Sequence, residues 1–151
     1  ADATDFELKS TFDFVTAASA YHHVEDNFKV DFLLNARKHL VTGGTVILCE
    51  QFLPLYSNKG TRANAIDEHY ALLRKYCSKG DMTKEIIQAI DETHQLELSG
   101  HEEHKVHHAA FELHAQAAGF EIELDIPVWQ PKEFSKDNAG SFVILLEPLP
   151  S

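Results

Sequence analysis

An α/β fold is the class this sequence predicts, and three observations predict it. Short β-branched and aromatic runs alternate with segments of helical spacing, a Gly-Gly pair separates one such helix from the next strand, and the two final strand-like runs have no helix between them. The order is strand, helix, strand, helical insertion, helix, strand, strand. That order implies a sheet of at least four strands, with the last two pairing antiparallel.

Thr11 to Ala18 (TFDFVTAA) is short, aromatic and β-branched and reads as a buried strand. Asp26 or Asn27 is placed to cap a helix running to about Leu40, because Val30, Leu33, Leu34, Arg37, Leu40 and Val41 fall at helical spacing. Gly43-Gly44 would stop it through a positive φ after the last turn. Thr45 to Glu50 (TVILCE) is a continuous apolar run, the pattern of a strand covered on both faces. Pro54 to Gly60 marks a loop. Two helical stretches follow, the first with Ile66, Tyr70, Leu73 and Cys77 on one face, the second outlined by Ile86, Ile90, Glu97, Ile87 and His94. A further helix spans about Glu102 to Ala118, with Val106, Ala110, Leu113 and Ala117 facing inward and Gly119 stopping it. Phe120 to Val128 (FEIELDIPV) alternates apolar and acidic residues as a half-exposed strand does, and Ser141 to Leu146 (SFVILL) reads as fully buried.

Composition narrows the function. The 151 residues, 44% of them hydrophobic, suffice for one domain with a core. No apolar run approaches the roughly 20 residues a bilayer span needs, and no signal peptide opens the chain, so the expected compartment is cytoplasmic, with no membrane partner. Thirteen Lys and Arg against 24 Asp and Glu give a net charge of −11, which repels a phosphate backbone and excludes a nucleic-acid substrate. Cys49 and Cys77 form neither a disulfide framework nor a zinc spacing and are expected to be buried, reduced thiols.

Several words of the sequence, in order, resemble the second half of the class I S-adenosylmethionine-dependent methyltransferase fold. Ala1-Asp2-Ala3 with Phe6-Glu7-Leu8 resembles the segment after that family's third strand, and Phe12-Asp13-Phe14-Val15 its fourth strand. Tyr21-His22-His23-Val24-Glu25-Asp26 resembles the following turn of many small-molecule methyltransferases. Lys38 to Ile47 resembles the helix end and fifth strand, with Val41-Thr42 in place of the usual Lys-Pro, and Ala117-Ala118-Gly119-Phe120-Glu121-Ile122 resembles the entry to the sixth. The resemblance implies a partial Rossmann-like sheet, strands four to seven, in one partial domain over 1–151. It also implies a helical insertion at about 54–99, where the family builds its acceptor lid. The family's first strand, its Gly-rich cofactor loop and the acidic residue that holds the ribose have no counterpart in these residues.

From the resemblance, Asp2 would accept from the adenine amino group and the backbone N–H of Ala3 would meet the ring. Ala17 and Ala18, small residues at the strand's end, would let backbone carbonyls approach the sulfonium side of the cofactor. His22 and His23 lie just beyond, and a neutral imidazole there can serve as general base when the acceptor must lose a proton. Glu50 and Gln51 lie where they could reach an acceptor or bind backbone groups of the turn. His101, His104, His107 and His108, with Glu102 and Glu103, form a cluster that could bring three imidazoles to one side of a helix. No cysteine or second cluster completes that site, and no metal is expected. Tyr70 and Tyr76 read as core. The expected activity is methyl transfer from S-adenosylmethionine to a small-molecule acceptor; the alternative is a non-catalytic binding or structural module keeping the half-fold. An unpartnered central strand predicts a homodimer, or pairing with a missing N-terminal fragment.

Overall fold

The computed structural model describes residues 3–80 and 82–150. Its elements are β1 (Phe12–Ala18), α1 (Lys29–Lys38), β2 (Leu40–Phe52), α2 (Lys59–Cys77), α3 (Lys84–Ser99), α4 (His108–Ala117), β3 (Phe120–Trp129) and β4 (Gly140–Pro148), with 3₁₀ turns at Tyr21–His23, Asp26–Phe28 and Lys132–Asp137. The sheet order is β1-β2-β4-β3. β1 and β2 run parallel, as a crossover through α1 requires, while β4 pairs antiparallel with both β2 and β3. The expected α/β class and the antiparallel pairing of the last two strands are therefore both present.

Among the described residues one face of this sheet is covered along its length, while the other is covered only at one end, by α2. Val46, Leu48, Phe142, Ile144 and Leu146 point into a core closed by Phe32, Leu33 and Ala36 of α1 and Phe111 and Ala115 of α4. The alternate residues Ile47, Val143 and Leu145 are half-buried, so the apolar runs of β2 and β4 did not mean cover on both faces. β1 departs further from its expected burial: among the described residues it pairs with β2 alone, and Phe14 on its outer face is 64% exposed. A bulge in β3 enlarges the open face. The register shifts between Ile122 and Leu124, so Phe120 faces the core while Leu124, Ile126 and Val128 emerge on the other side, Val128 68% exposed.

Gly43-Gly44 does not end the helix. α1 stops at Lys38, and its cap residue His39 donates from Nδ1 to Asn35 O (2.8 Å) and accepts at Nε2 from Leu8 N (3.0 Å). The glycines instead lie inside β2, where the register with β1 jumps between Phe12 and Phe14. A Cβ at Gly44 would stand 3.0 Å from Asp13 O and 3.1 Å from Phe12 O, so the pair lets two backbones approach. Neither Asp26 nor Asn27 caps α1: Phe28 holds that position without a side-chain bond, and Asp26 sits in the preceding 3₁₀ turn. Leu34, read as inward, is exposed, and Lys29 takes a core place.

The helix expected from Glu102 begins only at His108. Residues 103–107 stay extended because their backbone is used elsewhere: Leu53 N donates to Val106 O (3.0 Å) and His104 N to His22 O (2.7 Å). His107 caps α4, its Nδ1 accepting from Ala110 N at 3.1 Å. The inward face is thus His108, Phe111 and Ala115; Leu113 and Ala117 are exposed. In the insertion, Asn58 forms a capping box with Thr61 at the start of α2, and Ile66, Tyr70 and Leu73 pack with Leu53 and Ile90. Ile86 and Ile87 of α3 are exposed. Cys77 is buried as expected, but Cys49 lies on the open face and is exposed. No helix among the described residues is long and apolar enough to cross a membrane.

Candidate functional site

Parallel strands β1 and β2 end side by side, and the turn after β1 folds over the end of β2. Ser19 makes that turn with a left-handed φ of +50°, uncommon for a residue with a side chain. The turn is held by one carboxylate. Glu50, 2% exposed, accepts at Oε1 from Ala20 N and Tyr21 N, both 2.8 Å, and at Oε2 from His22 Nδ1 at 2.6 Å. Each oxygen of this buried carboxylate is satisfied, which is the condition for burying it.

The bond to Glu50 puts the His22 proton on Nδ1 and leaves the lone pair of the neutral ring on Nε2. His23 is set the same way, with Nδ1 donating to Glu102 O at 2.7 Å. Glu102 is itself left-handed, φ +65°, so both strained non-glycine residues flanking this site serve its geometry. The two imidazoles lie 4.2 Å apart between centroids, His22 buried and His23 half-exposed.

His23 lines a cleft of about 420 Å³ together with Ala3, Thr4, Ala20, Val24, Glu25 and Phe28. The structure therefore brings Ala3 and His23 to one cleft, with His22 against the ring of His23. Ala17 packs toward the core and Ala18 is exposed on the open face, both on the strand that leads to the cleft without lining it. Asp2 lies outside the described residues.

Behind the turn, Lys29 is fully buried, donating from Nζ to Tyr21 O (2.9 Å) with its ammonium 4.2 Å from the centre of the Tyr21 ring. Burial pushes its pKa down to about 8, against the pull of Asp26 and Glu50. The Tyr21 hydroxyl, raised by burial, meets His114 Nδ1 at 2.6 Å. Lys105 is also buried, but there burial is outweighed. Glu97 (3.0 Å), Tyr70 (3.2 Å) and Glu103 surround its ammonium and raise its pKa.

The expected histidine cluster divides, since 101–107 is not helical: His107 caps α4 and His108 donates from Nε2 to Asp125 Oδ2 at 2.6 Å. A different group approaches metal spacing, His22, His23 and Glu103, whose ligand atoms lie within 4.8 Å of one another. Glu103 is already bonded to the Lys105 ammonium and His23 Nδ1 to a carbonyl, so these groups form a hydrogen-bonded network. Glu50 was visible in the sequence as a candidate. Glu103 was visible only as a member of the helical histidine cluster, and Lys105 was not visible, because both act here only once the extended segment returns to the turn.

The chain matches no family model and no curated protein sequence. Solved structures do match over nearly its whole length. LepI in complex with S-adenosylmethionine is 8% identical, with 98% of this chain and 29% of that chain covered at a TM-score of 0.59. The O-methyltransferase NcsB1 from neocarzinostatin biosynthesis, bound to S-adenosylhomocysteine and 1,4-dihydroxy-2-naphthoic acid, is 11% identical, with 99% and 33% covered and a TM-score of 0.54. An S-adenosylmethionine-dependent methyltransferase from Clostridium acetobutylicum is 11% identical, with 99% and 63% covered and a TM-score of 0.59. The fold is a partial methyltransferase fold. The chain spans about a third or less of the length of the first two structures. In methyltransferase terms β1, β2, β3 and β4 take the places of strands four, five, six and seven.

Proposed function

We propose that this chain is the acceptor-side half of a small-molecule methyltransferase and that His22, oriented by Glu50, is its general base. The observation that carries the reading is the Glu50 carboxylate, which fixes the turn and the His22 tautomer together at the end of two parallel strands. Open α/β sheets bind ligands at this end.

The residues present fit one end of S-adenosylmethionine. The cleft has a small-residue wall at Ala3 and Ala20, an exposed ring at Phe28 for a flat base to lie on, and the polar groups of Thr4 and Glu25. Asp2 and Ala3 are assigned to the adenine, and Ala17 and Ala18 to the strand end behind the sulfonium. The cofactor, when bound, would supply an electrophilic methyl group on a sulfonium sulfur, which is left as a neutral thioether. His22 Nε2 takes the proton that an acceptor hydroxyl loses as its oxygen bonds to the methyl carbon, and Glu50 stabilises the resulting imidazolium. His23 forms the cleft wall beside it. Helices α2 and α3, within 54–99, cover the acceptor. The acceptor is a small molecule, as one is bound in the matched O-methyltransferase.

Titrating S-adenosylhomocysteine to millimolar concentration into ¹⁵N-labelled protein tests the cofactor reading. Amide shifts confined to Thr4 and Ala17 to His22 are expected; shifts elsewhere, or none, favour the non-catalytic module. The role of Glu50 has its own readout. Glu50→Gln keeps an acceptor for Ala20 N and Tyr21 N but offers an NH₂ to His22 Nδ1, which moves the proton to Nε2 and should cost about 10²- to 10⁴-fold in turnover. Imidazole ¹⁵N shifts showing an unchanged tautomer in that variant would remove His22 as the base.

A further inference from the structure

On the open face, where the sheet runs under α2, lies a second cleft of about 330 Å³. Leu73, Tyr76 and Cys77 of α2 form its roof, while Gln51, Ser141 and Trp129 of three neighbouring strands form its floor. This size is at the lower end of the roughly 300–1,000 Å³ typical of small-molecule sites. Gln51 and Glu50 leave β2 on opposite faces, so the cleft is separate from the His22 site.

One of the polar side chains that line it is buried and unpartnered. His69, 1% exposed, lines the cleft, and neither of its ring nitrogens has a hydrogen-bond partner. Its ring neighbours offer little to bond: it meets the rings of Tyr70 (5.4 Å) and Trp129 (5.7 Å) edge-on and stacks on Phe134 (5.9 Å, 2° between planes). Burial pushes its pKa down to about 3, so the ring is neutral and carries one N–H donor and one acceptor. A buried polar group left unmatched keeps the full cost of its lost hydration. A site that leaves such a group at an apolar wall gains when a ligand matches it.

We propose that this cleft binds a flat aromatic molecule bearing a hydroxyl group, with the hydroxyl bonded to His69. The apolar walls select the ring. A hydroxyl is both donor and acceptor, so it satisfies whichever His69 nitrogen faces the cleft. The lining residues include no Lys or Arg, and the chain carries a net charge of −11, which disfavours a carboxylate or phosphate in that place.

Trp129 is the single tryptophan of the chain and stands in the cleft, so its fluorescence reports occupancy. Titration with 2-naphthol should quench it saturably, at least tenfold more tightly than 2-methylnaphthalene, which has the same rings without the hydroxyl. His69→Phe should abolish that preference while keeping affinity for 2-methylnaphthalene. In the wild-type protein, 2-naphthol and not 2-methylnaphthalene should shift one His69 ring nitrogen in its ¹⁵N spectrum, a readout that holds even if the variant does not fold. Equal affinity for the two probes, no binding of 2-naphthol up to its solubility, an unchanged preference in a natively folded His69→Phe protein, or unmoved His69 nitrogens would each overturn the proposal.

Discussion

Single side chains set the chemistry of this molecule by where their protons are held. Glu50, His22, Lys29 and Tyr21 form one buried unit behind the β1 turn, and Lys29 is its most unusual member, an ammonium with no carboxylate of the described residues within bonding distance. Its folded pKa of about 8 lies below the 10.5 of an exposed lysine. Between those values the unfolded chain binds more protons, so stability must rise with pH there; below pH 8 both states are charged and the full burial penalty is felt. Lys29→Met removes this dependence. The wild type should therefore gain on the variant as pH rises from 8 to 10.5, by up to about 3 kcal/mol at roughly 1.4 kcal/mol per pKa unit. Urea unfolding of both proteins across that range measures it, and parallel pH profiles would show that burial does not lower the Lys29 pKa. The sequence made His22 and Glu50 visible because they end strands. It hid Lys29, since a lysine on an amphipathic helix ordinarily faces water, and it hid Lys105 and the place of Glu103 beside His22, which depend on a segment that returns from far along the chain.

At the scale of elements, hydrophobic periodicity located the strands and helices but not their faces. β3 shows why. Its alternation of apolar and acidic residues predicts a single apolar face, yet the bulge after Ile122 hands Leu124, Ile126 and Val128 to the opposite side and points Asp125 at His108. A one-residue slip of this kind inverts every later side chain and leaves the pattern itself unchanged. The glycines were misread for a related reason: a Gly-Gly pair suits a helix stop, but here it suits two strands pressed together. Substitutions separate the two uses. Gly140 begins β4 with φ +123°, and an added Cβ would stand 2.1 Å from Trp129 O. Gly140→Ala should cost more than about 3 kcal/mol, combining strain with a backbone collision. Gly44→Ala meets carbonyl oxygens at 3.0–3.1 Å without a positive φ and should cost about 1–2 kcal/mol. Denaturant midpoints of the two variants give the order, and a milder Gly140→Ala would mean that the β3–β4 connection yields easily.

For the whole molecule, the open sheet face is the dominant fact. Phe14, Leu124, Ile126 and Val128 are exposed together with the free side of β1, an apolar surface beside an unpaired strand edge. Such surfaces mark association. The protein should self-associate at micromolar concentration or pair with a chain that completes the sheet, and Phe14→Lys should weaken that association without lowering the unfolding midpoint. Light scattering across a dilution series checks both; a stable monomer at every concentration would mean that this face tolerates water. The sequence showed β1 to be rich in apolar residues but could not show that its outer face lies bare, because the same residues suit a covered strand. The strand order carries one more consequence. β4, the last strand in sequence among the described residues, sits between β2 and β3, so until Gly140 to Pro148 has left the ribosome the nascent protein holds a β1–β2 pair and a solitary β3 with no common partner. The sheet therefore closes only when its last strand emerges, and a ribosome stalled before Gly140 holds two halves of a core that have nothing to join them.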